Sequence, residues 1–377
     1  MQSYFVAIAS YVGLYLLMTI VRNTIGFKAR WPLALPFIVI FGGLAGLRDI
    51  TVGADTRLYV EIFDHIGRQQ AMGWSTIMTS KYPLYDLWNI GLFQLAPVGQ
   101  TIIMANALVI ALIMQRAILT HSSQIFLPSL LLVSLYFYFY SLNISRQFIA
   151  IGLLFLATSY LLKNQPKKFG PLYLAAILIH STAIIGGLAY VVYRVKWTRK
   201  RLGLALLVVV AGKLSLAQLV SWFTTLFPRY DIYNVTGEIP TTGIETISTQ
   251  SNGGTLLMNL FYLVFVGVGW RLLPRLKPAA HAKLRYLTVL MTLAVMAGLL
   301  FAQNVLVTRL LMYFTINMVV YLPLVLTTGL TVLARPRFKP VVTIPVANLC
   351  LFLITLVPMT IQLSKNIAEV LPYRFWS

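Results

Sequence analysis

Apolar runs close in length to a bilayer crossing recur through the whole sequence, at 4–20, 31–47, 124–141, 148–162, 202–227, 255–273, 284–301, 310–334 and 341–363. About 20 apolar residues cover the hydrocarbon layer as a helix, whereas a barrel strand needs about 10. Backbone in lipid must also satisfy its own hydrogen bonds, which helices do within one segment. Hydrophobic residues are 59% of the 377 and charged residues 10%, against about 45–50% and 25% in soluble domains. The chain is therefore expected to be an all-α, polytopic helical membrane protein with roughly 10–13 membrane segments. Residues 1–377 are expected to form a single integral membrane domain, because no stretch is long and polar enough to stand apart in water.

Charge sets the expected topology. The formal net charge is +21, and most of the positive residues lie between apolar runs, so they read as topology signals and sites for anionic lipid headgroups. No nucleic-acid partner is inferred. Basic clusters without acids fall at Arg22, Lys28 and Arg30; at Lys163, Lys167 and Lys168; and at 194–201, 271–285 and 335–339. Acids concentrate at 48–86 and 231–245. This segregation predicts cytoplasmic basic loops and two outer loops, about 48–81 and 228–254. The run at 4–20 has its basic residue after it, not before, and reads as a retained span with its N-terminus outside. Two regions are ambiguous. Residues 82–119 hold one crossing with an interfacial helix, or two crossings. Residues 169–193 have basic clusters at both ends, and a broken hairpin with His180 near its outer tip would keep both inside. With one crossing and a hairpin, Arg48, Asp55, Arg146, His180 and Arg309 all reach the outer face. Cys350 is the single cysteine, which excludes a disulfide within the chain and a cysteine-based metal site.

Four polar constellations interrupt the apolar background. The segment Arg48-Asp49-Ile50-Thr51-Val52-Gly53-Ala54-Asp55-Thr56-Arg57-Leu58-Tyr59 follows the run at 31–47 directly. It is either a solvated cap or a mouth that handles an anionic or sugar substrate. Asn143-Ile144-Ser145-Arg146-Gln147 lies between two apolar runs. Its arginine either snorkels to headgroups or presents a planar fork to a phosphate, and Asn143 and Gln147 add amides suited to hydroxyl-rich ligands. His180-Ser181 is either a packed histidine, or a general base or diphosphate donor. Arg309 and Tyr313 share a helix face, behind the turn Gln303-Asn304. That arginine needs an anion: a ligand phosphate, or an outer-loop acid such as Asp55. Outer-loop aromatics, among them Tyr82, Tyr85, Trp88, Trp74, Trp222, Phe223, Tyr230 and Tyr233, read mostly as an interfacial belt, a few being available to stack on sugar rings. The assigned spans hold no Asp or Glu, which speaks against an ion-coupled carrier. No internal repeat is visible, which disfavours an alternating-access transporter.

In order, Arg48 with Val52-Gly53-Ala54-Asp55-Thr56 and Tyr59, then Ser145-Arg146-Gln147, His180-Ser181, Arg309 with Tyr313, and Pro372-Tyr373 near the C-terminus resemble the EpsG-like branch of bacterial Wzy-type polysaccharide repeat-unit polymerases. Lys81-Tyr82-Pro83 departs from that pattern, since an acidic residue is expected before the proline. The resemblance implies a multi-pass enzyme of the bacterial cytoplasmic (inner) membrane, similar to lipid-dependent, GT-C-like glycosyltransferases. Its site would face the periplasm or exterior, and it would act in O-antigen, capsule or exopolysaccharide synthesis. It further implies undecaprenyl-diphosphate-linked oligosaccharides as donor and acceptor, membrane lipids and a chain-length-regulating co-polymerase as partners, and no metal, nucleotide sugar or other cofactor. The joint expectation places Asp55, His180, Arg146 and Arg309 as catalytic residues. Arg48, Thr56, Tyr59, Asn143, Gln147 and Tyr313 are expected to bind substrate. Asp55 and His180 both remain open as the base. A glycan ligase using the same donor and a lipid-linked oligosaccharide flippase are the alternatives.

Overall fold

The computed structural model describes residues 1–68, 77, 80–215, 253–302, 304–333 and 340–376. The expected loop 228–254 thus lies almost wholly outside the described residues. So do Trp74, Trp222, Phe223, Tyr230, Tyr233, Gln303 and the cluster Arg335, Arg337 and Lys339. The described residues are helical, with no strand among them; a single isolated bridge pairs Arg48 with Phe375. Among the described residues, six helices are long and apolar enough to cross a membrane, and up to eight if each bent helix pair counts as one span. The chain is a multi-pass, all-α membrane protein. The apolar runs exceed this number partly because hydropathy does not see where a helix breaks, and partly because the run at 202–227 extends beyond the described residues. Trp31–Gly46, for example, is apolar but short.

The chain divides into two compact units, Met1–Tyr193 with Ile316–Ser377, and Arg194–Thr315. The first unit contains α1 (Gln2–Thr24), α2 (Trp31–Gly46), α3 (Thr56–Arg68), α4 (Pro83–Leu95), α5 (Gly99–His121), α6 (Phe126–Ser134), α7 (Phe137–Asn143), α8 (Ser145–Leu162), α9 (Phe169–Ile179) and α10 (Gly187–Arg194). The second holds α11 (Arg199–Leu214), α12 (Gly253–Leu272), α13 (Pro278–Leu300) and α14 (Val305–Thr315). The chain then returns to the first unit with α15 (Met318–Leu333) and α16 (Pro340–Ser364).

Small residues let the first unit's helices approach closely. Gly42 and Gly46 are one turn apart on α2. A Cβ on the first would press on Ala111 and Leu108 of α5, and one on the second would strike Met104. This is the close packing that small residues permit between membrane helices. The middle of α2 is a π-helix over Ile38–Gly42, a local widening that often accompanies functional sites. α6 and α7 meet at a 58° bend. Buried Tyr136 sits there with φ 71, and α16 braces the bend through the Ser134–Thr355 hydroxyl pair at 2.7 Å.

Both ambiguous regions have a definite shape. Within 82–119, α5 has 23 residues, while α4 has 13 and spans about 20 Å at 1.5 Å per residue, short of the roughly 30 Å core. α4 therefore lies with α3 over the end of α5, around a core of Phe63, Ile102 and Ile103 with Trp88 and Phe93. Within 169–193 the chain folds back. Phe169 of α9 meets Tyr190 of α10, Tyr173 donates to the Ile184 carbonyl at 2.7 Å, and Tyr193 donates to Asn164. His180 occupies the extended tip between α9 and a 3-10 turn over Ser181–Gly186.

Cross-chain contacts give the first unit two ends. At one, Arg30 donates to the carbonyls of Ser122 and Ser123, near Arg22 and Lys28. At the other, the Tyr4 hydroxyl donates to the Val370 carbonyl at 3.0 Å, and the C-terminal strand-like tail meets residues 47–53. In the second unit α13 packs against α11, α12 and α14. Arg285 donates to the Trp197 carbonyl, Trp270 donates to the Thr292 hydroxyl at 2.9 Å, and Lys213 lies over the Phe301 ring.

Candidate functional site

The site in the first unit is built on the turn that follows α2. Gly53 has φ +94, and a Cβ there would lie 2.7 Å from the Leu142 carbonyl, so both torsion and space require glycine. Arg48 is 3% exposed and turns its guanidinium inward. It donates to the carbonyls of Ala45, Val52 (3.3 Å) and Leu142 (3.0 Å) and reaches the Thr56 hydroxyl at 3.5 Å. A buried arginine near the bilayer needs such carbonyls when no anion faces it. Thr56, fully buried, donates to the Val52 carbonyl at 2.7 Å, with the Leu142 carbonyl 3.3 Å away. Arg48 and Thr56 thus pin the turn to the end of α7.

The C-terminal tail straps the same turn from the other side. Asp49 N–H donates to the Arg374 carbonyl (3.0 Å), Gly53 N–H to the Glu369 carbonyl (2.9 Å), and Trp376 N–H to the Leu47 carbonyl (2.8 Å). The Tyr373 hydroxyl donates to the Leu44 carbonyl at 2.7 Å. Asn366 holds the tail's own loop by a two-way bond with Leu371. The strap and the Leu142 contacts are not visible in sequence, because those partners are distant along the chain.

This frame delivers Asp55 to the junction between α7 and α8. The Asp55 amide donates to the Asn143 side-chain oxygen at 2.9 Å. One turn into α3, buried Tyr59 hydrogen-bonds the Arg146 main chain and lies within electrostatic reach of both Asp55 and the Arg146 guanidinium. The Arg146 N–H is in the first turn of α8, where amides have no partner inside the helix. Burial holds the Tyr59 phenol well above its ordinary pKa, so it stays neutral.

Arg146 lies in an aromatic cradle. Its guanidinium carbon stands 3.9 Å from the Tyr82 ring centroid and 5.5 Å from that of Tyr85. Stacking of this kind holds the plane of the fork while its edge N–H groups stay oriented for an anion. The buried Nε has no hydrogen-bond partner among the described residues. Tyr82 also meets His180, with ring centroids 5.7 Å apart at a tilted angle, and the Lys81 ammonium is 5.5 Å from the same ring. Pro83 begins α4, and Ser80 fixes the turn ahead of it by donating to Asp86 and accepting from the Tyr82 N–H. From α5, buried Asn106 donates to the Tyr85 hydroxyl (3.0 Å) and to Ser145 (3.4 Å), and accepts from Trp88 (3.1 Å). Gln147, the residue after Arg146 in the first turn of α8, is buried.

Asp55, Thr56, Tyr59, Asn143, Arg146 and His180 thus come together at one end of the first unit, with Arg48 beneath them as a clamp. Arg309 and Tyr313 belong to the second unit. There Asn304 caps α14 by accepting from the Val307 N–H at 3.0 Å, and one turn separates half-buried Arg309 from buried Tyr313. Tyr82, Tyr85 and Asn106 were the residues that sequence reasoning passed over as belt aromatics and span filler. Their signals were slight: an i, i+3 tyrosine pair around a helix-starting proline, and one amide inside an apolar run.

A sequence model described as the EpsG family matches residues 32–375. No curated protein and no solved structure matches the chain.

Proposed function

The chain belongs to the EpsG family, and from that premise we propose that it is a glycosyltransferase-type polymerase that joins oligosaccharide repeat units carried on undecaprenyl diphosphate. The observation that carries this reading is the Arg146 fork, fixed on two tyrosine faces beside Asp55 and His180. A diphosphate leaving group calls for a planar cation held in place before the reaction.

In the proposed step, the terminal sugar hydroxyl of the acceptor unit attacks the anomeric carbon of the donor. The new glycosidic C–O bond forms as the bond to the diphosphate oxygen breaks, and undecaprenyl diphosphate leaves with the electron pair. Arg146 receives the growing negative charge, and Arg309 of the second unit is assigned the same duty. Asp55 or His180 takes the acceptor proton. Asn143 and Thr56 hold the Asp55 turn, Arg48 is a positioning residue, and Tyr59, Gln147 and Tyr313 orient sugar or phosphate. With arginine forks assigned to balance the diphosphate charge, the proposed reaction calls for no metal, and because the lipid diphosphate itself activates the donor sugar it calls for no nucleotide sugar. The basic end of the first unit faces the cytoplasm by the positive-inside rule, which points the site to the periplasm or exterior of the inner membrane.

The glycan ladder of a strain lacking the gene tests the reaction class. Accumulation of single repeat units on the outer face is the expected result. Units trapped inside the cell would instead assign a flippase, and full-length polymer left unattached would assign a ligase.

A further inference from the structure

A cavity with polar and apolar walls opens at the basic end of the first unit, opposite the Arg146 site. It has a volume of about 430 Å³ and lies between α1, α16 and the 122–127 turn. Tyr15, Thr19 and Arg22 line it at one-turn intervals along α1, so a single helix face presents them. Arg30 enters from the α1–α2 connection, and Gln124 and Asn348 close the far wall. The Tyr15 hydroxyl feels both guanidinium charges, and no acidic side chain lines the cavity. Arg30 is anchored, since it donates to the Ser122 and Ser123 carbonyls. Arg22 makes one exposed bond, to Asn23, and its buried Nε has no partner among the described residues. Asn348 donates to Gln124 at 3.4 Å, while its buried side-chain oxygen accepts from no described residue.

Two cations with an orphaned donor suit a phosphate, and an orphaned acceptor suits a hydroxyl. Leu33 and Phe126 supply apolar wall. Outside the cavity, α1 exposes Leu16, Leu17 and Ile20, and α16 exposes Val346, Leu349 and Leu353. Basic pockets between membrane helices hold anionic headgroups in this way, with acyl chains lying along such exposed apolar faces. We propose that this cavity is a binding site for an anionic phospholipid whose headgroup carries a phosphodiester and free hydroxyls. It is separate from the polymerisation site and independent of the function proposed for that site.

The test is native mass spectrometry of the full-length protein, purified from vesicles containing equal amounts of phosphatidylglycerol and phosphatidylcholine. Wild type is expected to retain phosphatidylglycerol preferentially. Arg22→Gln is expected to lower that retention about fivefold, the loss of one cationic contact to an anionic headgroup, and to leave phosphatidylcholine unchanged. Arg22 has only its exposed bond to Asn23, so the variant should unfold at the wild-type temperature, which is measured alongside. Excess inorganic phosphate should not displace the lipid. Equal retention of the two lipids by wild type would overturn the proposal, as would unchanged phosphatidylglycerol in Arg22→Gln. Complete displacement by inorganic phosphate would replace the lipid by a soluble anion and overturn it equally.

Discussion

Gly53 and Tyr82 represent opposite kinds of residue in this site. At Gly53 the backbone torsion is positive and the Leu142 carbonyl closes the space above Cα. Gly53→Ala should therefore cost about 1–3 kcal/mol, read as a lowered unfolding temperature in detergent, with an unchanged melt as the contrary result. Tyr82 contributes a ring face, at 3.9 Å from the Arg146 guanidinium. Tyr82→Phe should keep polymerisation near wild type, while Tyr82→Ala should weaken it roughly tenfold, in line with a desolvated cation–π contact. Equal activity of the two variants would remove the cradle from the account. At this scale the sequence was half legible. Asp55, Arg146 and His180 could be singled out because polar residues are costly among apolar runs. Arg48 looked alike in sequence, yet its fork faces the carbonyls of Ala45, Val52 and Leu142. Only tertiary structure separates an arginine that meets carbonyls from one that stacks on tyrosine.

Among the elements, the C-terminal tail has the least sequence signal and a large structural part. It contributes acceptors to the Asp49 and Gly53 amides and a donor to the Leu47 carbonyl. Removing residues 369–377 should speed hydrogen exchange at the Asp49 and Gly53 amides while those inside α5 stay protected. Unchanged exchange at both positions would show that the strap is dispensable. Pro372-Tyr373 reads in sequence only as a family-like ending, and the contact of Tyr373 with Leu44 has no signal in spacing. The hairpin of α9 and α10 was legible by contrast, because basic clusters flank an apolar segment long enough for one span. What hydropathy could not show was how the turn is closed, by Tyr173 on Ile184 and Phe169 on Tyr190. The break between α6 and α7 was likewise hidden, since Tyr136 carries no Gly or Pro signal for its left-handed torsion.

For the whole molecule, composition and run length were sufficient to give an all-α membrane protein, while helix continuity set the number of full-length spans among the described residues. Sidedness joins the fold to the function. In a Cys350→Ser background, Thr182→Cys beside the hairpin tip should react with a membrane-impermeant maleimide added to intact cells, and Lys167→Cys at the hairpin foot should not. The reverse pattern would turn the site toward the cytoplasm and away from an exported glycan. A chelator should leave polymerisation unaffected if arginines alone balance the diphosphate; loss of product on chelation, restored by a divalent cation, would contradict that. The central claim is that a planar guanidinium at position 146 grips the diphosphate. Its most direct test is polymerisation of purified lipid-linked repeat units in proteoliposomes by Arg146→Lys, which keeps the charge and loses the fork. The account predicts a rate lower by on the order of 10²–10³-fold, the scale of one preorganised donor set, at normal protein level and melting temperature. A full-length ladder formed at the wild-type rate would contradict it.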